Sequence, residues 1–307
     1  MIESVTQAGE VALLFPGQGS QHPAMLSGIR EHPFFRARYE LICDRIGLDV
    51  LRQIEVRGPQ LLDTNLIGSL VTVLVSSVSL EIYTSRGLCP PAFVGGYSVG
   101  QWSAMYAAGM IEFELLVDIL AERARLMDEC VRAAPGGMCA VIGVSEQAIE
   151  AVCGELRASG HEIHISNFNC RGQYSLAGTP TALERAEHEL RLLGPKRLLR
   201  LNAAGGWHSP LVAGAATQFR ELLEKHELRP PRMPVLDNVT GDWLPRDYRD
   251  LCATLACHIH QPVRWEQGVR KLIDSGAARL IEVGYGNCLT KFGFFISRSV
   301  EFEAFYH

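Results

Sequence analysis

Gly95-Gly96-Tyr97-Ser98-Val99-Gly100-Gln101 constrains the fold of this chain more than any other stretch. A short apolar segment, Ala92-Phe93-Val94, precedes it behind Pro90-Pro91, and a helix-like run from Trp102 to Ala108 follows. Strand, tight Gly-x-Ser-x-Gly turn, then helix is the context of a nucleophile elbow. Glycines at 96 and 100 let backbone pack closely around a strained turn. The turn pushes the Ser98 hydroxyl out at a helix N-terminus, where N–H groups and the dipole favour developing negative charge. The motif alone is short and built of common residues; its flanking strand and helix favour a functional Ser98 over an ordinary turn.

Strand and helix patterns alternate along the 307 residues, which predicts an α/β layered fold. Val11 to Phe15 is a strand ended by Pro16. Leu66 to Tyr83 is a long apolar helix, and Glu112 to Val131 a second helix. After the breaker Pro135-Gly136-Gly137 the texture changes. Strand (138–144), helix (146–158), two strands (162–168 and 173–177), helix (180–193) and strand (197–201) follow in close order. That βαββαβ order predicts a ferredoxin-like small domain, residues 133–202, inserted into a large α/β domain of residues 1–132 and 203–307. In the large domain, helices are expected near 210–226, 247–258 and 264–275. Strands are expected near 233–237, 279–283 and 300–305.

An apolar content of 47% with 21% charge allows a large core. The net charge of −5 argues against general nucleic-acid binding but leaves room for a local basic patch facing an acidic partner. No apolar run reads as the roughly 20 residues of a membrane span. Met1-Ile2-Glu3-Ser4 has neither a basic nor an apolar leader region, so a cytoplasmic protein is expected. Nine cysteines at irregular spacing do not form a disulfide framework. Cys252, Cys257, His258 and His260 could ligate zinc, but they share a helix-like apolar spacing and include no Cys-x2-Cys pair, so no metal is expected.

Three further residues could carry chemistry. On helix 112–131 the apolar stripe Leu116, Leu120, Met127 and Cys130 encloses Arg123, while Asp118, Glu122, Arg125 and Glu129 take the opposite face. A buried arginine needs an anion: either a core carboxylate or the carboxylate of a substrate. His208 precedes Ser209-Pro210, a plausible helix start whose dipole would keep the ring neutral, as a general base requires. Asp237 and Asp242 are possible acid partners, though both sit in turn-like contexts, and a Ser–His dyad oriented by backbone carbonyls is equally open. Finally, Gly17 and Gly19 flank Gln18 directly after a strand, allowing the close approach that an oxyanion donor needs. A phosphate loop is the rival, but the Gly-Lys-Ser ending is absent.

Taken in order, these motifs resemble those of the malonyl-CoA:acyl-carrier-protein transacylases and polyketide synthase acyltransferase domains. Leu14-Phe15-Pro16-Gly17-Gln18-Gly19-Ser20-Gln21 is similar to the N-terminal signature, and Gly96-Tyr97-Ser98-Val99-Gly100-Gln101 to the elbow. Glu122 to Met127 resembles the segment of the carboxylate-binding arginine. Asn167-Phe168-Asn169 through Gln173 to Gly178, Trp207-His208-Ser209, Gln261 to Trp265 and Glu282 to Gly286 resemble later motifs. The resemblance implies a hydrolase-like α/β core with a ferredoxin-like insert and a ping-pong acyl transfer. Ser98 would be nucleophile and His208 base. Backbone N–H groups of Gln18 and Val99 would form the oxyanion hole, and a carbonyl near His258 would orient His208. Arg123 would hold a malonyl-type carboxylate, with Asn169 also in the substrate site. Coenzyme A thioester would be the donor substrate rather than a resident cofactor, and phosphopantetheinylated acyl carrier protein the partner of a monomer. Fatty-acid synthesis, or a discrete enzyme serving a polyketide assembly line, would be the setting. Tyr97 and Gln101 replace a histidine and a glutamate, and Trp207 stands just before the base, so Tyr97 and Trp207 are expected at the acyl pocket. Thioester hydrolysis on the same scaffold, or transfer of an unusual acyl group, is the alternative activity. A non-catalytic carrier-binding protein is the third reading.

Overall fold

The computed structural model describes residues 10–19 and 21–305. The leader reading at Met1 to Ser4, and Ser20 of the N-terminal signature, lie outside the described residues. The chain begins with β1 (Glu10–Phe15), α1 (Ala24–Ser27), α2 (Pro33–Ile46), α3 (Val50–Arg57) and α4 (Asn65–Ser85). Next, β2 (Phe93–Gly96) turns into α5 (Gly100–Ala107), followed by α6 (Phe113–Ala133). A compact run of β3 (Gly137–Ile142), α7 (Glu146–Ala158), β4 (Ile163–Cys170), β5 (Gln173–Gly178), α8 (Pro180–Leu192) and β6 (Arg197–Arg200) comes after. The chain ends with α9 (Ala215–Leu223), α10 (Tyr248–Cys257), α11 (Trp265–Asp274), β7 (Ala277–Val283), α12 (Cys288–Ile296) and β8 (Glu301–Phe305).

The strands form two sheets. One is parallel, in the order β2-β1-β7-β8, with Phe15 opposite Gly96 and Val11 opposite Arg279. Helices cover it on both faces, so β1 reads as an unbroken apolar run rather than an alternating one; from Val11 to Phe15 it is fully buried. The other sheet is antiparallel, in the order β4-β5-β3-β6, and α7 and α8 pack against it over a core that includes Val141, Ile149, Leu176 and Leu183. β4 is tied to the segment that leads into α11, where Phe168 N donates to Val263 O (2.8 Å) and Val263 N donates to Ser166 O (2.9 Å).

Three departures from the sequence expectation have physical causes. Residues 233–237 form no strand, only isolated bridges of Val235 to Val94 and of Leu236 to Trp243. Pro234 lacks the N–H that a ladder there would use. The helix expected over 210–226 is split into a single 3-10 turn (Pro210–Val212) and α9. Lastly, α4 spans 21 residues and is long and apolar enough to cross a membrane, unlike the sequence expectation. Its flanks are buried almost all round, among them Leu70, Leu74 and Val78, so the protein itself supplies the apolar surroundings.

Candidate active site

The elbow is built by backbone crowding. Tyr97 N donates to Phe15 O (2.9 Å), extending the β1–β2 pairing into the turn. A Cβ on Gly96 would lie 1.9 Å from Gly100 O, and one on Gly100 would lie 2.2 Å from Phe15 O. Both positions therefore exclude every residue but glycine. The chain then turns so sharply that Ser98 takes φ = 53°. Among the described residues only one other non-glycine residue has a positive φ, and it is His208, at 56°. Such conformations cost on the order of 1–3 kcal/mol each and persist only where the surroundings impose them.

These two strained residues meet. Ser98 Oγ lies 2.7 Å from His208 Nε2. His208 Nδ1 is 2.9 Å from the backbone carbonyl of His258. A carbonyl can only accept, so Nδ1 carries the proton and Nε2 is left as the acceptor of the Ser98 hydroxyl. Neither expected acid partner takes part: Asp237 accepts from Val239 N, Thr240 N and Thr240 Oγ1, and Asp242 pairs with Lys271 (2.8 Å). His208 is 3% exposed, and burial, then the charge of nearby Arg123, push its pKa down to about 3. The ring is thus neutral, but not through a helix dipole. Ser209 caps nothing with its side chain, and donates instead to Gly206 O (2.6 Å) at the head of a three-residue turn.

A cavity of about 460 Å³ opens over the pair. Gln18, Tyr97, Asn167, Ser175 and Trp207 line it beside Ser98 and His208. Gly17 lies so close to the elbow that a Cβ there would stand 2.4 Å from Tyr97 O, which brings the Gln18 backbone beside Ser98. The Gln18 side chain is anchored away from the pair, to Asn65 O (3.1 Å) and Ser69 Oγ (3.2 Å). Among the described residues, the backbone N–H groups of Gln18 and Val99 have no acceptor, so both can serve a developing oxyanion. Asn169, expected in the substrate site, stands behind the wall, where its Oδ1 accepts from Tyr97 Oη (2.6 Å) and its amide donates to Ser175 Oγ (3.4 Å). Its neighbours Asn167 and Ser175 reach the cavity instead. A larger groove of about 600 Å³, between Met110 and Trp243, holds no part of the Ser–His pair.

Arg123 lies behind the lining, close enough for its charge to act on both His208 and His258. It is 3% exposed, and no ion-pair or hydrogen-bond partner reaches it among the described residues. Burial alone pushes its pKa down to about 10, which still leaves it charged. On the outer face of the same helix, Arg125 pairs with Glu122 (2.6 Å) and Glu129. Among the described residues no core carboxylate, the structural partner considered for Arg123, pairs with it. The residue that sequence reading missed is Asn238, whose carboxamide touches both sides of the elbow. A lone asparagine before a Val-Thr-Gly turn carries no signal that separates it from a turn residue. Nucleophile, neutral base, two free N–H donors and an unpaired buried cation together suit attack on an acyl carbon whose acyl group carries a negative charge.

Comparison with known proteins bears on the same residues. Residues 12–293 match the model of the acyl transferase domain. The malonyl CoA-acyl carrier protein transacylase of Bacillus subtilis is 30% identical over 282 residues, covering 92% of this chain and 88% of that protein. An acyl carrier protein S-malonyltransferase from Vibrio cholerae superposes with a TM-score of 0.87 at 30% identity, covering 96% of each chain. A malonyl-transacylase solved in complex with its type II PKS acyl-carrier protein superposes with a TM-score of 0.90 at 29% identity, again over 96% of each chain.

Proposed function

The chain belongs to the acyl transferase family, which holds the malonyl CoA-acyl carrier protein transacylases, and from that premise we propose that it carries a malonyl-type acyl group from coenzyme A to the phosphopantetheine thiol of an acyl carrier protein. It is an acyltransferase. The reaction has two halves. In the first, His208 Nε2 takes the Ser98 proton as Oγ attacks the thioester carbonyl. The oxyanion sits between the N–H groups of Gln18 and Val99. The C–S bond then breaks, and His208 returns its proton to the departing thiol. In the second half the phosphopantetheine thiol gives its proton to His208 and attacks the acyl-Ser98 ester, and Ser98 leaves reprotonated. Residues 133–202 act as a small domain whose strands β4 and β5 bring Asn167 and Ser175 to the cavity wall. The pathway setting is fatty-acid or polyketide biosynthesis.

One observation carries this reading: the only two non-glycine residues of positive φ among those described are the two whose side chains meet at 2.7 Å. Arg123 supports the acyl class, since an uncharged acyl group would leave the buried guanidinium without an anion. The test is the intact mass of the protein after malonyl-CoA, followed by holo acyl carrier protein. A malonyl adduct that moves to the carrier is expected, with none formed by Ser98→Ala. Release as free malonate would mean hydrolysis, and an adduct surviving in Ser98→Ala would remove Ser98 from the mechanism.

A further inference from the structure

Asn238 is 2% exposed and uses all four of its polar groups. Its Oδ1 accepts from Ser98 N (2.7 Å), and its Nδ2 donates to Gly96 O (2.7 Å). The two bonds close a ring around Gly96-Tyr97-Ser98, the turn in which Ser98 is held at φ = 53°. Its backbone N donates to Gln101 Oε1 (2.8 Å), on the first turn of the elbow helix α5. Its backbone carbonyl accepts from Arg264 N (2.8 Å). Arg264 ends the stretch that begins at His258, whose carbonyl holds His208. Two nearby pairings fix Asn238 itself: Leu236 N donates to Val94 O (2.9 Å), and Asp237 N to Asp242 O (2.7 Å).

We propose that Asn238 is a positioning residue: its carboxamide clamps the nucleophile turn from both sides, and its backbone joins that turn to the segment that orients the base. The proposal rests on the acyl-enzyme reading of Ser98. It also decides which N–H groups face the oxyanion. The Ser98 N–H is committed to Asn238 Oδ1, which leaves those of Gln18 and Val99.

Only a primary amide of this length accepts from one side of the turn and donates to the other. Asn238→Ala removes both bonds. Asn238→Asp keeps an acceptor for Ser98 N but sets a carboxylate oxygen against Gly96 O, where a donor stood. Misplacing a reacting group by about 1 Å costs on the order of 100-fold in rate.

The experiment measures how fast a fluorophosphonate labels Ser98, with kcat and KM for malonyl-CoA and the melting temperature alongside, all at a temperature where every variant is folded. Labelling and kcat are expected to fall roughly 30- to 100-fold in Asn238→Ala and by a smaller factor in Asn238→Asp, with KM within about threefold of wild type. Labelling of Asn238→Ala within about threefold of wild type overturns the proposal, as does a rise in KM at unchanged kcat. Should Asn238→Ala fail to fold, Asn238→Asp decides alone: slowed labelling supports the clamp and wild-type labelling overturns it. The phosphonate reports on Ser98 whatever acyl group the enzyme prefers. If wild type ignores malonyl-CoA while the variants still label slowly, the acyl assignment falls and the clamp stands.

Discussion

Arg123 says most about the substrate, because it is a buried charge that no described residue balances. A buried guanidinium without an anion is unfavourable by several kcal/mol, and a substrate carboxylate at that point recovers much of it. Arg123→Ala should therefore slow malonyl transfer by roughly 2–4 kcal/mol while changing acetyl transfer far less. Equal losses, measured by acyl-enzyme formation with each donor, would make Arg123 a packing residue. The same cation helps keep His208 neutral. A base works in its neutral form, and the His208 pKa lies near 3, so acylation should stay flat from pH 8 down to about pH 5 and fail only as pH drops toward 3. An acid limb near pH 6.5 in single-turnover acylation would contradict this. Ser98, Gln18 and Arg123 were legible in the sequence because each interrupts a local pattern: a strand, a glycine pair, an apolar stripe. For His208 the sequence led to the right protonation state by a wrong cause, since burial is a tertiary property and the expected helix is one 3-10 turn.

At the scale of elements, legibility followed burial. The alternating strands and helices from β3 to β6 were readable almost to the residue, because each turns one apolar face to a core. By contrast, α2 and α3 escaped notice: the apolar residues of α2 (Phe34, Phe35, Leu41, Ile42, Ile46) are spread round the helix, and α3 has only eight residues. The loop from Leu201 to Trp207 is irregular, yet it shapes the cavity. A Cβ on Gly205 would lie 2.8 Å from the Trp207 ring and 2.4 Å from Val131, so glycine there lets the indole settle against the loop. We propose that the indole, which lines the cavity, occupies volume that an α-substituent on the acyl group would need. Wild type should prefer malonyl over methylmalonyl, by no more than the 1–3 kcal/mol that one methyl commands. Trp207→Ala should relax the preference, read as the ratio of the two acyl-enzyme masses in competition. An unchanged ratio would clear Trp207 of that role.

For the molecule as a whole, the parallel sheet ties the two ends of the chain together. β1 lies between β2 and β7, and β7 in turn carries β8. Deleting everything after Asp274 should leave β1 with an open edge and give an insoluble chain, scored by the soluble fraction on expression. A soluble truncated protein that still labels at Ser98 would show that β7 is dispensable. The sheet order also sets a clock. A ribosome adding about 5–20 residues per second needs roughly 15 to 60 seconds for this chain. β1 is synthesised well before β7 and gains its second neighbour only when β7 emerges. Throughout that interval a strand that is apolar from Val11 to Phe15 has at least one side unpaired, so its greatest exposure to aggregation falls during its own synthesis.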